Sequence, residues 1–305
     1  MIIARIVPCA GLGNQMFMYA AGLALSERLR TELRLGAWDF LLDTRKDRPY
    51  HLNCFPAITE LDASFSETWR ISPKMAVEKC YAYTQGCNSL TRSIIKAASI
   101  FFPKGRLYKP KYCSYSPEFE SVDDDTCLEG YFESERVFAD IKDVVRRKFM
   151  FSPECFDSAL TAQVRACNSA AIHVRRGDKA AADSFASEIP YLKDAITRLL
   201  SLTDRPRFFV FSDDIEWCRE TLPKIHDTDY TFIEGRTPPQ DMALMTQCRH
   251  VIMGPSTFSW WGAWLNDNPN KIIIAPDINL WYGQIAASSI EDRKYLLPHE
   301  WIKIR

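Results

Sequence analysis

From about residue 170 to residue 275 the sequence alternates short apolar runs with helix-compatible segments, and this rhythm restricts the fold more than any other feature. It predicts strands at 170–174, 207–211, 230–233, 250–253 and 271–275, with helices at 190–202, 215–222, 240–247 and 257–265. Strands separated by helices cannot pair as hairpins. They lie parallel and are joined by right-handed crossovers. Sheets of this kind bind ligands at the carboxyl ends of their strands, so the residues that follow each apolar run become the candidates for function.

The first half is less regular. A strand is expected at 2–7, a glycine-containing turn at 8–13, a helix at 14–30 and a second strand at 32–35. Between 39 and 125 the prolines at 49, 56, 73, 103 and 110 predict short helices and loops, and Asp123-Asp124-Asp125 reads as a solvated turn. Residues 127–131 can return the chain to the first sheet, and 137–149 reads as a basic amphipathic helix. A chain of 305 residues is long for one core and comfortable for two. The division expected is 1–152 and 153–305, with the closing residues free to pack back on the first half.

A formal net charge of -1 argues against nucleic acid or an anionic membrane surface as the main partner, so that any binding of a polyanion must be local. The ten cysteines show no metal-finger spacing, and several sit in apolar runs, which suits a reducing compartment. No apolar run reaches the length of a membrane span, so the reading is a soluble, cytoplasmic protein.

Three segments carry chemistry. His173-Val174-Arg175-Arg176-Gly177-Asp178 follows the strand at 170–174 and places guanidinium groups where a phosphate would bind. Gly254-Pro255-Ser256-Thr257-Phe258-Ser259-Trp260-Trp261 follows the strand at 250–253, with Ser256 or Thr257 at a helix start that suits an anion. Gly11-Leu12-Gly13-Asn14-Gln15 resembles the opening of a dinucleotide fingerprint, but Met16 stands where a third glycine belongs, so NAD is excluded. Its glycines suit a tight turn that permits positive φ, and with the Asn14 and Gln15 amides facing a crevice the turn is read as one that contacts a ligand. Asp241, in the first turn of a helix, has the chemistry to read a guanine edge as well as ordinary dipole chemistry. Asp213 and Asp214 read as capping residues.

Together these motifs resemble glycosyltransferase family 11, the α-1,2-fucosyltransferases. The matching residues are Gly11 to Phe17, His173 to Asp178, Asp241 through Cys248 to Trp261, and the closing Trp301 to Ile304. The resemblance runs nearly end to end and is thin between about 40 and 125. It implies an α/β protein of two Rossmann-like domains in the GT-B arrangement, with an acceptor-side first domain and a donor-binding second domain. It implies inverting transfer of L-fucose from GDP-β-L-fucose to the 2-OH of a galactose-terminated acceptor, with no cofactor and no metal. By the same resemblance Arg175 meets the β-phosphate, His173 lies beside the nucleotide, Asp241 reads guanine, and Ser256, Thr257 and Phe258 line the pyrophosphate. Gly13 and Asn14 face the donor sugar and acceptor. Peripheral association with a membrane-borne, lipid-linked glycan is compatible with this picture.

Three carboxylates compete for the role of general base: Asp178, Asp183 and Glu188. A loose transition state with little base assistance fits equally. Arg176 is expected to pair internally, with Asp178 as a partner. Two rivals stay open: a fucosyltransferase of different linkage or acceptor on the same donor site, and a non-catalytic GDP-sugar-binding module.

Overall fold

The computed structural model describes residues 1–43, 48–84, 89–111, 113–176, 188–281 and 294–304. The chain divides into two compact units, Met1–Met150 and Phe151–Arg305. Each has its own parallel sheet, as strand–helix alternation requires.

The first unit contains β1 (Ile2–Arg5), α1 (Leu12–Leu29), β2 (Leu33–Gly36), α2 (Phe65–Ile71), α3 (Pro73–Tyr83), α4 (Ser89–Ala98), β3 (Leu107–Tyr108), β4 (Thr126–Leu128) and α5 (Lys142–Lys148). Its four strands lie in the order β2-β1-β4-β3. Helix α1 packs against the sheet through Gly22, where an added Cβ would fall 2.6 Å from that of Ala4. On the other face Ile3, Trp38, Ile71, Met75 and Cys127 form a core beneath α2 and α3.

Two expectations fail in this unit. The helix predicted over 137–149 is broken into a 3₁₀ segment, Glu135–Ile141, and the shorter α5. Phe138, at φ -128°, leaves helical geometry and is buried 6.4 Å from the ring of Phe17, so tertiary packing overrides the local pattern. The acidic run at 123–125 is more than a solvated turn: Asp124 and Asp125 pair with the terminal amine of Met1, and Asp125 also pairs with Arg70.

The second unit contains α6 (Ser158–Arg165), β5 (Ser169–Val174), α7 (Glu188–Leu202), β6 (Arg207–Ser212), α8 (Ile215–Ile225), β7 (Tyr230–Phe232), α9 (Pro238–Gln247), β8 (His250–Ile252), α10 (Thr257–Leu265), β9 (Ile273–Pro276), α11 (Ile278–Trp281) and β10 (Ile302–Ile304). All six strands are parallel, in the order β10-β9-β8-β5-β6-β7. From β5 the chain builds outward to β6 and β7, then crosses back to lay β8, β9 and β10 on the other side. The winding direction therefore reverses between β5 and β8, and a crevice opens at their carboxyl ends. Near the close of the chain Ile302–Ile304 extends the second unit's own sheet beside β9.

Among the described residues all nine cysteines are free thiols, Cys127, Cys155, Cys218 and Cys248 being buried. No described helix is long and apolar enough to cross a membrane.

Candidate functional site

Two of the three chemistry-bearing segments meet at the reversal point. Ile172 of β5 pairs with Ile252 of β8, so the residues after each strand leave the sheet side by side. Gly254 seals the contact: a Cβ there would lie 2.7 Å from the His173 carbonyl oxygen, which leaves room for glycine only. His173 is buried, and its ring lies 5.2 Å from that of Phe258 in the first turn of α10. Arg175 follows directly on β5 and is half-buried.

The start of α10 is fixed from several directions. Ser256 is the N-cap and its hydroxyl accepts from the Phe258 amide at 3.2 Å. The Ser259 hydroxyl donates back to the carbonyls of Gly254 and Ser256. Ser256 is almost fully buried, whereas Thr257 and Phe258 are half-exposed, so these two present the helix start to solvent. Tyr191 of α7 donates to the Met253 carbonyl at 2.6 Å, bracing the strand end from below. Nothing in the sequence singled out Tyr191; its spacing from Met253 is visible only once the sheet is assembled. Trp260 and Trp261 are core, with the Trp260 indole donating to the Leu296 carbonyl.

Arg176 has a different task from Arg175. Its guanidinium pairs with Asp214 and lies 4.5 Å over the Trp217 ring, while its amide donates to Asp213 at 2.7 Å. Asp214 also caps α8 by accepting from the Trp217 amide. Arg176 thus pairs internally, with Asp214 as a partner among the described residues. Asp178 and Asp183 lie outside the described residues, as does the side chain of Glu188, whose backbone opens α7.

Asp241 stands in the first turn of α9, which begins on two prolines after a Thr237–Gln240 capping box. Gly235, at φ 70°, turns the chain just before Arg236. Arg236 is buried, donates to the Gln240 carbonyl at 2.9 Å, and brings Nε to 3.3 Å from Asp241 Oδ1 without hydrogen-bond alignment. Burial pushes the Asp241 carboxyl up to about 6, and the attraction of Arg236 only partly opposes it. Arg236 was not a sequence candidate, although the capping box beside it marked where that turn would be.

In the first unit, α1 begins at Leu12 with Gly11 as N-cap at φ -68°. Neither Gly11 nor Gly13 is needed for a left-handed turn, contrary to expectation; Gly13 is buried in the first helical turn. Asn14 is half-buried on that turn. Gln15 does not face a crevice. It is fully buried, donating to the carbonyls of Ala10 and Pro49 and accepting from the His51 amide, each at 2.9 Å.

The second unit's construction, with basic and helix-start groups at one reversal point, is that of an anion-binding α/β domain. The model of glycosyl transferase family 11 matches residues 123–305. An alpha-1,2-colitosyltransferase from Escherichia coli is 32% identical over 99% of this chain and 98% of its own length. The chain belongs to glycosyltransferase family 11. Human galactoside alpha-(1,2)-fucosyltransferase 1 is 30% identical to this family 11 chain over 45% of it and 42% of the human protein. Among solved structures, the NodZ alpha-1,6-fucosyltransferase soaked with GDP-fucose, an enzyme known from Bradyrhizobium, superposes with a TM-score of 0.52. That likeness, at 14% identity over 92% of this chain and 95% of the other, is one of α/β fold.

Proposed function

We propose that this family 11 glycosyltransferase moves L-fucose from GDP-β-L-fucose to the 2-OH of a β-galactoside, with inversion and without a metal. The observation that carries the reading is the meeting of the Arg175 strand end with the start of α10, locked by the Gly254–His173 contact. Breaking a sugar–phosphate bond leaves growing negative charge on the nucleotide diphosphate. A guanidinium and helix-start N–H groups, held in place beforehand, stabilise that charge without reorganising, each typically by about 3–4 kcal/mol. Arg175 meets the β-phosphate, and Thr257 and Phe258 line the pyrophosphate beside the Ser256 cap. His173 sits against the nucleotide, and the Asp241 carboxylate accepts from guanine. Gly13 and Asn14 serve the sugar and acceptor side. The two-domain GT-B arrangement belongs to the same reading.

A second reading keeps the site and changes the sugar. Colitose is fucose without its 3-hydroxyl, and the full-length likeness to an alpha-1,2-colitosyltransferase supports it. A pocket that hydrogen-bonds the 3-hydroxyl would discriminate strongly, while one that merely encloses C3 would not.

Incubation with GDP-fucose or GDP-colitose, with and without lactose, tests both. GDP release that accelerates with lactose on one donor names the sugar. Binding with no turnover on either donor would favour a passive GDP-sugar module. Arg175→Ala is expected to abolish transfer in a folded protein, and near wild-type turnover in that variant would overturn the assignment.

A further inference from the structure

Between Glu78 and Glu118 the sequence holds no Asp or Glu at all, yet it carries seven cations: Lys79, Arg92, Lys96, Lys104, Arg106, Lys109 and Lys111. With 39 acidic residues in 305, a stretch of 39 residues would ordinarily hold about five. The imbalance is local, in a chain whose net charge is -1. Lys79 is buried against Asp62, Lys109 pairs with Glu129 and Arg106 donates to the Asp124 carbonyl at 3.2 Å. Lys96, Lys104, Arg106, Lys109 and Lys111 are all exposed, Lys96 and Lys104 lining one cavity with Asp39, Glu78 and Glu129.

The centre of this stretch is α4, a ten-residue helix with no buried residue. Leu90, Ile94 and Ala97 fall at i, i+4 and i+7 and so share one face. Leu90 is 69% exposed and Ile94 60%, and just beyond the helix Ile100 and Phe101 are 77% and 86% exposed. The half-buried positions Thr91, Arg92, Ile95 and Ala98 lie to one side of this stripe, so the apolar residues are not those that seat the helix on the protein. Next to it runs an aromatic chain in which Phe65 stacks 5.8 Å from Trp69, and Trp69 5.3 Å from Phe102. Both Phe65 and Trp69 are themselves substantially exposed.

We propose that this face of the first unit rests on an anionic phospholipid bilayer, with the α4 stripe and Phe101 entering the interface and the surrounding cations facing lipid phosphates. An exposed apolar stripe beside a basic face is the pattern of a helix that lies in the membrane plane. At ten residues α4 is far too short to span one. Self-association fits less well, because a two-fold contact would set one cation-rich segment against its copy.

The test is flotation of the full chain with vesicles of phosphatidylcholine alone and of phosphatidylcholine mixed with phosphatidylglycerol. The chain is expected to float with the mixed vesicles only, and to be released by salt. Leu90→Gln/Ile94→Gln/Phe101→Ser should weaken partitioning more than tenfold while leaving the melting temperature and GDP release with soluble lactose unchanged. Lys96→Gln/Lys104→Gln should weaken it about fivefold for each cation removed. No flotation of the wild-type chain, equal flotation on both vesicles, or binding unchanged in the apolar variant would each overturn the proposal. So would a dimer by light scattering that the apolar variant dissociates, because the face would then cover a second copy.

Discussion

Gly254 approaches His173 so closely that an added β-carbon would fall 2.7 Å from the His173 carbonyl oxygen and 3.4 Å from its Nδ1. The atoms in the way belong partly to the backbone of β5, which cannot swing aside as a long side chain can. Gly254→Ala must therefore separate the two strand ends that carry Arg175 and the α10 cap. The expected cost is about 1–3 kcal/mol of stability, with GDP affinity weakened at least tenfold. Thermal melts and GDP titration calorimetry check this. Wild-type affinity in Gly254→Ala would show that the spacing of the strand ends does not set the site.

Adjacent arginines should separate in their effects. Arg175→Ala is expected to lose turnover while the protein stays folded, because the residue lies beyond the end of β5 and is only half-buried. Arg176→Ala removes both the Asp214 pair and the contact with Trp217. It should lower stability by about 1–3 kcal/mol, since Arg176 is mostly buried and Asp214 loses its partner. Arg176→Lys should recover little of this, because an ammonium cannot reproduce a guanidinium lying over the Trp217 ring. Melting curves beside steady-state rates separate the two classes.

Asp241 gives a pH dependence whose sign can be stated. Its folded carboxyl is raised to about 6, above its ordinary value of 3.8, chiefly by burial. As pH rises from about 4 to about 6, the unfolded chain releases this proton before the folded one does, so stability falls through that window. Above about 6 the cost is complete, on the order of 2–3 kcal/mol. On the proposed role of Asp241 donor affinity should move the opposite way, because only an ionised carboxylate can accept both hydrogen bonds of a guanine edge. GDP binding is expected to strengthen as pH rises through about 6, and Asp241→Asn should flatten that rise. An unaltered pH profile in Asp241→Asn would remove Asp241 from guanine recognition.

The second unit was legible in the sequence because β5, β6, β8 and β9 are largely buried apolar runs bounded by turn chemistry, and the alternation leaves only a parallel sheet; β10, half-buried at the edge, left no such run. The place of its candidate site was legible for the same reason: Arg175 follows β5 directly, and Ser256 and Thr257 open the helix after β8. The parts that escaped depend on contacts distant in sequence. Tyr191 reaches Met253 from a separate helix, and Asp214 receives Arg176 from the start of another. The break at Phe138 arises because burial against Phe17 outweighs the helical period around it. In the first unit β3 spans only two residues, too few to leave a periodic signal, whereas the return to the sheet expected over 127–131 is met by β4.

Gln15 is the clearest case of a polar residue whose type fits a binding role while its position fixes a structural one. Its amide joins three segments, holding Ala10 before α1 and both Pro49 and His51 in the loop beyond β2. Gln15→Leu would leave two carbonyls and one N–H without a buried partner, at a cost of about 2–4 kcal/mol. Gln15→Glu should be worse, because an ionised carboxylate would face the Ala10 and Pro49 carbonyl oxygens instead of donating to them. Asn14→Ala, one residue away and half-buried on the same turn, should leave the melting temperature within about 1 kcal/mol equivalent of wild type while lowering transfer. Melting temperatures and lactose-dependent GDP release for the three variants decide the matter. If Gln15→Leu melts like the wild type and loses transfer, Gln15 belongs to the binding surface after all.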